Sequence, residues 1–193
     1  RPVSAVFEGL FPHLRGWAID WPQSPQILVA GSGTGRHPIA TARRFQGATV
    51  LSCDLSRASL AYASRQAAEQ GVDNLRLVQG DILELGVLEQ QFDIVESSGV
   101  LHHMRDPLAG WRVLVGLLKP GGLMNIGLYS EISHRRVVEV VSFIETGGYD
   151  SSPDGIRRCR HDIMGLPVDH PVHPIVREDE FYTASNFRDL FQH

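Results

Sequence analysis

A glycine-rich turn directly after a short apolar run constrains this chain more than any other feature. The apolar run is ILVA (27–30), and the turn reads GSGTG (31–35). Such a run is typical of a strand buried in a parallel sheet. Glycine is needed where the backbone turns sharply or must approach a ligand without a Cβ in the way. The pattern therefore predicts a strand, a tight turn and a helix whose N-terminal N–H groups and positive dipole end face a bound polar group.

The sequence between residues 27 and 130 alternates strand-like and helix-like segments. We predict strands at 27–30, 49–55, 75–81, 92–98 and 123–130. We predict helices at 38–45, 56–71 and 106–122, with a short helical stretch at 82–90. Ser56 is placed to cap the second of these helices and Gly71 to end it. Consecutive strand–helix–strand units of this kind give right-handed crossovers between parallel strands. The fold class is therefore α/β: a doubly wound (Rossmann-like), mostly parallel sheet with helices on both faces.

The pattern weakens after residue 130. The segment RRVVEVVSFIET (135–146) predicts a helix, and residues 186–193 predict the beginning of another. Residues 147–180 are polar and interrupted by prolines. The single strand candidate there is VHPIVR (172–177), and Pro174 would confine it to a sheet edge because proline cannot donate to the ladder.

Three segments follow from these patterns. We expect an aromatic and proline-rich segment at 1–26, a binding core at 27–146 and an irregular or helical extension at 147–193. The first segment contains four large aromatic residues, Phe7, Phe11, Trp17 and Trp21. It either packs on the core or covers a pocket as a lid. Packing is the favoured interpretation, because aromatic clusters mostly serve to bury area.

Composition excludes several partners. The net charge is −4, whereas a nucleic-acid-binding face needs a strongly basic surface. No apolar run is long enough to span a bilayer, and no signal peptide opens the chain. Cys53 and Cys159 form no CxxC pair and are read as reduced thiols. We therefore expect a cytoplasmic protein that binds neither nucleic acid nor membranes. The histidines at 161, 170 and 173 lack metal-binding spacing, so no metal site is expected.

Two acidic residues follow neighbouring strands of the predicted sheet. Asp54 ends the second strand and Asp81 ends the third. Ligands of open α/β sheets bind at the carboxyl ends of the strands. Asp54 is placed to accept hydrogen bonds from both hydroxyls of a ribose, and Asp81 from an adenine amino group. Together with the glycine turn, the two acids predict a pocket for an adenosine-containing cofactor, although either acid alone is also explained as a helix cap.

The spacing of the glycines narrows the choice of cofactor. The dinucleotide fingerprint is G-x-G-x-x-G, whereas this turn reads G-x-G-x-G, with the third glycine one residue early. No Lys-Ser/Thr pair follows the glycines, which excludes the P-loop that binds nucleoside triphosphates. An NAD-dependent oxidoreductase on a similar sheet stays open as an alternative that the spacing disfavours.

The glycine turn, the two acids and the string LKPGGLMNIGLYS (118–130) together resemble the class I S-adenosylmethionine (SAM)-dependent methyltransferases. The resemblance covers residues 27–130 and implies SAM as cofactor and S-adenosylhomocysteine as product. It implies that the glycine loop lies under the methionine part of SAM and that Asp54 binds the ribose hydroxyls. It also implies that Leu55 lies beside the adenine and that Asp81 and Ile82 flank the edge of the adenine. It places the residues after the fourth strand at the sulfonium end. The implied binding residues are Ala30, Gly31, Ser32, Gly33, Gly35, Asp54, Leu55, Asp81, Ile82, Ser97 and Ser98, with Gly99 beside them.

The chain departs from the family in two respects. The family usually carries an acidic residue near the SAM amino group, two positions before the first loop glycine, where this chain has Val29. The family sheet also has seven strands, the last two forming an antiparallel hairpin, for which no clear signal appears. We therefore expect the hairpin to be lacking and the domain to be truncated. The strings HPIATARRF and FYTASNFRDLFQH resemble bacterial methyltransferase domains often attached to tetratricopeptide repeats, so the parent chain could carry such repeats.

Two histidines are the candidate catalytic residues. His102 and His103 follow the fourth strand, near the expected position of the methyl group. Histidine is a plausible base at neutral pH, but methyl transfer needs one only if the acceptor loses a proton. The alternative is that one caps the next helix and the other packs or faces water. Four residues at the end of the fifth strand are expected to face the same cleft and could also contact the acceptor: Tyr129, Ser130, Glu131 and His134.

The favoured function is therefore transfer of a methyl group from SAM to an unidentified acceptor, either a small molecule or a protein. A non-catalytic SAM-binding module of a larger protein stays open, because fold alone does not separate it from an enzyme. Within the family that this chain resembles, an Asn-Pro-Pro-Tyr-type string after the fourth strand marks methylation of planar amide or base nitrogens. No such string follows the fourth strand here, so methylation of nucleic-acid bases is disfavoured.

Overall fold

The structure, a computed structural model, describes residues 1–16, 20–128, 131–182 and 187. The chain divides into two compact units, residues 1–128 and 129–193. The predicted division at residues 26 and 146 was drawn from sequence pattern and stays a prediction.

The first unit contains all five strands that the structure describes, β1 (Gln26–Ala30), β2 (Thr49–Asp54), β3 (Leu75–Gln79), β4 (Phe92–Ser98) and β5 (Leu118–Gly127). Its helices are α1 (Val3–Leu10), α2 (Arg36–Arg44), α3 (Arg57–Glu69) and α4 (Pro107–Gly116). Short 3-10 helices lie at Pro12–Leu14, Ile82–Val87 and Leu101–His103. The second unit holds α5 (Glu131–Thr146), α6 (Pro153–Met164), a 3-10 helix at His173–Arg177 and α7 (Asp179–Tyr182).

The strands form one sheet in the order β3-β2-β1-β4-β5, and every neighbouring pair is parallel. The chain proceeds outward from β1 through β2 to β3 and then crosses back to β4 and β5. The strand order therefore reverses between β1 and β4, which is where ligands bind in open parallel sheets. The predicted doubly wound α/β fold is confirmed.

Both faces of the sheet are covered, as a parallel sheet requires. Leu28 and Ala30 of β1 pack on one face with Leu114 of α4, whereas Ile27 and Val29 pack on the other. Every one of these four β1 residues is fully buried. The four-residue apolar run at 27–30 is thus explained by burial on both sides of the strand.

Part of the N-terminal segment packs on the sheet. Val3 and Val6 of α1 belong to the same core cluster as Ile27 and Val29. The ring of Phe7 stacks on Trp21, with 5.5 Å between ring centroids. This arrangement supports packing rather than a lid for these residues. Trp17 lies outside the described residues.

The bounds of α3 follow its capping residues. Ser56 is the N-cap and accepts a hydrogen bond from the Ser59 N–H, while Gly71 ends the helix region with a φ of 65°. Both roles were predicted, because serine favours N-caps and glycine tolerates the left-handed conformation that ends helices.

The predicted helix at 106–122 is too long. Helix α4 ends at Gly116, and β5 begins at Leu118. Phe92 pairs with Leu118, but Ile94 pairs with Leu123, so the beginning of β5 is irregular. That irregularity accommodates Pro120, which lacks the N–H that a regular ladder needs.

The helix predicted at 135–146 is present within α5, and helices also form in the proline-interrupted stretch that follows it. Helix α6 begins with Pro153 in its first turn, after Ser152 accepts a hydrogen bond from the Gly155 N–H. Serine at the N-cap and proline in the first turn are a helix-start signal, which the proline-based prediction overlooked. The strand predicted at 172–177 is wrong, since His173–Arg177 is a 3-10 helix. Of the helix predicted at 186–193, only Phe187 is described, and it is helical.

The described part of residues 129–193 contains no strand. Its helices share a core of their own, formed by Val140, Ile144, Ile156, Cys159, Ile163, Val172, Ile175, Phe181 and Phe187. Among all described helices, none is long and apolar enough to cross a membrane.

Candidate functional site

A cavity of about 480 Å³ lies at the carboxyl edge of the sheet. It is lined by residues 31–34, 36–37, 53–55, 80–82, 98–100 and 103–104. The segments follow β1, β2, β3 and β4, so the cavity straddles the position where the strand order reverses. Its volume falls in the roughly 300–1,000 Å³ range of small-molecule and cofactor sites.

The three glycines of the turn after β1 all adopt backbone angles that other residues rarely reach. Their φ angles are 97° at Gly31, 47° at Gly33 and 90° at Gly35. A Cβ on Gly31 would lie 2.2 Å from Val100, and one on Gly35 would lie 2.7 Å from Ala63. A Cβ on Gly33 would project into open space. Gly31 and Gly35 therefore permit close packing, while Gly33 leaves the cavity floor clear.

Most N–H groups of this turn are used within the protein. The Gly31 and Ser32 N–H groups both donate to the Cys53 carbonyl at 2.9 Å, and the Gly35 N–H donates to the Ser32 carbonyl. Helix α2 begins at Arg36, and the first N–H groups of a helix have no acceptor within it. The backbone donors for an anionic ligand group therefore come from the beginning of α2 rather than from the glycines.

Asp54 joins the glycine turn to the end of β2. Its Oδ2 accepts a hydrogen bond from the Gly33 N–H at 2.7 Å, and its Oδ1 accepts one from the Ser56 N–H at 2.8 Å. An ionised carboxylate accepts about four hydrogen bonds, so two bonds leave capacity for ligand hydroxyls. Asp54 both shapes the turn and presents its charge to the cavity.

Asp81 borders the cavity and also caps a short helix. It lines the cavity, and it is also the N-cap of the Ile82–Val87 helix, where its Oδ1 accepts a hydrogen bond from the Leu83 N–H at 2.9 Å. The adjacent Ile82 lines the cavity, and so does Leu55, whose side chain is largely exposed. Two apolar side chains and two carboxylates thus share the part of the cavity next to β2 and β3.

A buried carboxylate lies beneath the beginning of α2. Glu96 of β4 is 3% exposed, and its Oε2 accepts a hydrogen bond from Thr41 Oγ1 at 2.6 Å. The same oxygen lies 3.0 Å from Nε2 of His37, which lines the cavity. Burial acts to raise the pKa of Glu96, but the hydrogen bonds from His37 and Thr41 outweigh it and hold that pKa below its ordinary value. Glu96 is therefore ionised at neutral pH.

The residues after β4 divide between the core and the cavity. Ser97 is buried, and its hydroxyl donates to the Ala30 carbonyl at 3.0 Å. Ser98, Gly99 and Val100 line the cavity. Ser97 therefore joins β4 to β1 beneath the site rather than walling it.

The histidine pair lies in the short helix that follows. His103 lines the cavity, whereas His102 does not. Their Nε2 atoms are 3.0 Å apart, and their ring centroids are separated by 4.1 Å. The structure thus brings the His103 ring to the site, with the His102 ring in contact with it.

The structure brings most of the predicted binding residues together. Those that line the cavity are Gly31, Ser32, Gly33, Asp54, Leu55, Asp81, Ile82 and Ser98, with Gly99 and His103. Ala30, Gly35, Ser97 and His102 lie outside the lining. The roles of all these residues stay predictions. Tyr129 and Ser130 lie outside the described residues, as do the side chains of Glu131 and His134.

Sequence reasoning missed the pair formed by Glu96 and His37. A signal was present, because FDIVESS (92–98) places a glutamate directly after the apolar pair Ile94 and Val95 in a predicted strand of the parallel sheet. Glutamate is almost never fully buried unless it is paired. Its partner, 59 residues away, was not readable from spacing.

Residues 27–122 match a family described as "Methyltransferase domain". An uncharacterized protein of Synechococcus is 31% identical over 169 residues, which are 86% of this chain and 40% of that protein. The trans-aconitate 2-methyltransferase of Deinococcus radiodurans is 35% identical over 135 residues, which are 66% of this chain and 50% of that enzyme. The chain thus spans half or less of the length of these relatives.

The fold is also found among solved structures. PKMT2 from Rickettsia typhi superposes with a TM-score of 0.66 over 87% of this chain and 34% of that protein. The two sequences are 17% identical, so the likeness concerns the fold.

Proposed function

The chain belongs to the class I SAM-dependent methyltransferase family, and we propose that it transfers a methyl group from SAM to an acceptor bound beside His103. The observation that carries this proposal is the cavity at the carboxyl edge, where the glycine turn, Asp54 and Asp81 meet. A position at the point of strand reversal suits an adenosine-containing cofactor.

The residues present fit the two ends of SAM. At one end, Asp54 has hydrogen-bonding capacity for ribose hydroxyls, and the exposed Leu55 with Ile82 offers apolar surface to an adenine ring. At the other end, the first N–H groups of α2 suit the carboxylate of the methionine part. The open space over Gly33, where a Cβ would intrude, leaves room for the chain between them.

SAM supplies an electrophilic methyl group on a sulfonium, and transfer breaks the S–CH₃ bond as the bond to the acceptor forms. The protein contributes chiefly by holding the acceptor in line behind the methyl group, since positioning alone removes much of the barrier. We propose that His103 takes the acceptor proton when the acceptor has one to lose. His102, with its Nε2 3.0 Å from that of His103, orients the ring.

The acceptor is proposed to be a small molecule or a protein rather than nucleic acid. The net charge of −4 supports this, because phosphate-binding surfaces are strongly basic. We also propose a cytoplasmic location, which two buried free cysteines support. Attachment of the domain to tetratricopeptide repeats in the parent protein is proposed from the sequence resemblance alone.

The first test is calorimetric titration of the purified chain with SAM, S-adenosylhomocysteine and NAD. We expect both SAM and S-adenosylhomocysteine to bind and NAD to bind far more weakly. Asp93→Ala alters an aspartate at the opposite edge of the sheet, and this control variant should bind SAM as tightly as the wild type does. Tight NAD binding without a SAM response would overturn the proposal.

The second test separates an enzyme from a binding module. Labelled methyl groups from SAM are followed into the small-molecule and protein fractions of an extract from the source cells. Wild-type protein should label one fraction, and His103→Ala should label it at least tenfold more slowly while binding SAM normally, since general-base catalysis typically contributes about 10²–10⁴-fold. Equal labelling by the variant would remove His103 from the mechanism.

A further inference from the structure

We propose that His37, supported by Glu96, is the acceptor for the α-ammonium group of SAM. It would take the role that the family usually gives to an acid at the position where this chain carries Val29. This inference rests on the proposed function and names residues that would hold one end of the cofactor. His37 would contact the ligand, and Glu96 would act through His37 as a positioning residue.

The register of the sheet places Glu96 beside Val29, the position at which the family usually carries an acid. Val29 of β1 pairs directly with Glu96 of β4. Paired residues of neighbouring parallel strands point to the same face of a sheet. A carboxylate is therefore present one strand away from the position at which the family usually carries one.

This carboxylate is buried and paired with side chains of α2. Glu96 is 3% exposed within β4, next to the buried Val95, where a lone charge would strongly destabilise the fold. It is stabilised by two side chains of α2, Thr41 and His37. Replacing such a group by an apolar one of similar size is often neutral or stabilising for folding. Stability alone therefore gives no reason to place a charge here.

The contact with Glu96 determines which atom of His37 serves as an acceptor. An ionised carboxylate only accepts hydrogen bonds, so Nε2 of His37 must donate to Oε2 of Glu96 across their 3.0 Å separation. In the neutral imidazole the other nitrogen, Nδ1, is then an acceptor.

The chemistry of the ligand requires such an acceptor. The methionine end of SAM carries a carboxylate and an ammonium group. The N–H groups at the beginning of α2 complement the carboxylate but repel the ammonium. His37 is the second residue of α2 and lines the cavity. One turn of helix therefore offers a donor set and an acceptor side by side, which matches an amino acid with both charges.

Matched ligands test this assignment. We compare the Kd values of S-adenosylhomocysteine and of its deamino analogue, which lacks only the ammonium group. Wild-type protein should bind S-adenosylhomocysteine about ten- to hundredfold more tightly than the analogue, the scale for a hydrogen bond to a charged group. His37→Phe and Glu96→Gln should reduce that ratio to near one, mainly by weakening S-adenosylhomocysteine.

Thr41→Val is the control, because it removes a hydroxyl from the same Glu96 oxygen but keeps both the charge and His37. Its ratio should stay close to that of the wild type. His37→Asn retains an acceptor on a shorter side chain and should partly restore the ratio lost in His37→Phe.

The outcomes separate this inference from the proposed function. If the wild type binds neither ligand, the proposed function itself fails. If both ligands bind but the ratio is unchanged in His37→Phe and Glu96→Gln, SAM binding stands and the assignment of the ammonium site is wrong. Thermal unfolding of each variant confirms that the compared proteins are folded.

Discussion

The two edges of the same sheet use aspartate in different ways. At the amino edge, Asp93 accepts a hydrogen bond from the Gln26 N–H at 2.8 Å and forms an ion pair with Lys119 at 2.9 Å. At the carboxyl edge, Asp54 accepts hydrogen bonds from the Gly33 and Ser56 N–H groups. Each aspartate connects neighbouring segments, but only Asp54 borders the cavity.

The difference lies in the charge of the partners. Lys119 neutralises Asp93, so the amino edge is satisfied internally and connects the beginnings of β1, β4 and β5. Asp54 is bound by neutral N–H groups and keeps its charge and part of its hydrogen-bonding capacity. We conclude that the amino edge serves stability, whereas the carboxyl edge is arranged to receive a ligand, in agreement with the general placement of ligands on parallel sheets.

At the carboxyl edge of the sheet, we expect the largest loss of stability from Gly31→Ala. Its φ of 97° and the 2.2 Å approach of a Cβ to Val100 should lower the free energy of unfolding by about 2–5 kcal/mol, the sum of backbone strain and overpacking. Chemical denaturation measures this loss. The control is Gly71→Ala, which has positive φ but no neighbour within 4 Å. Equal losses in the two variants would mean that close packing at Gly31 is unimportant.

Asp54→Ala tests whether that edge receives the ligand. We expect SAM binding to weaken by about 1.5–3 kcal/mol, or roughly ten- to hundredfold in Kd, because hydrogen bonds to a charged group are lost. Calorimetry measures the Kd. Since Asp54 also accepts a hydrogen bond from the Gly33 N–H, some stability should be lost as well. An unchanged Kd would show that the ribose lies elsewhere.

Asp93→Ala makes the opposite change at the amino edge. It should lower the free energy of unfolding by about 1–2 kcal/mol, because the Gln26 N–H and Lys119 lose their shared partner. The Kd for SAM should be unaltered. A weaker SAM affinity in this variant, with the fold intact, would contradict the division of roles between the edges.

Ser56→Ala separates structure from binding within the carboxyl edge. It removes the hydroxyl that caps α3, which typically stabilises by about 1 kcal/mol, but keeps the backbone N–H that donates to Asp54. Thermal unfolding should register the loss, while calorimetry should find SAM affinity nearly unchanged. A large drop in affinity would indicate that capping of α3 also orders the site.

Local signals were sufficient where a residue's neighbours in sequence decide its structure. The strand at 92–98 and the caps at Ser56 and Gly71 were predicted from apolar runs and capping preferences. The helix predicted at 106–122 is present as α4, but its end was predicted too late, because the leucines after Gly116 suit a strand as well as a helix. Pairing of β5 with β4, rather than local preference, decided between them.

The candidate site shows the same division. Glycine spacing and acids at strand ends were enough to predict Gly31, Gly33, Asp54 and Asp81 as its members. Local pattern could not show that Ser97 donates to the Ala30 carbonyl, or that His103 rather than His102 borders the cavity.

The sequence by itself determined that a glycine turn follows a buried strand and that acids stand at the next strand ends, because these features depend on spacing along the chain. Only the tertiary structure decided what lies beneath them. Glu96 meets His37 across 59 residues, and Val29 lies beside Glu96 only because β1 and β4 are paired in one register. Such contacts depend on how the strands are ordered and aligned, and a one-residue shift of register would turn Glu96 to the other face of the sheet.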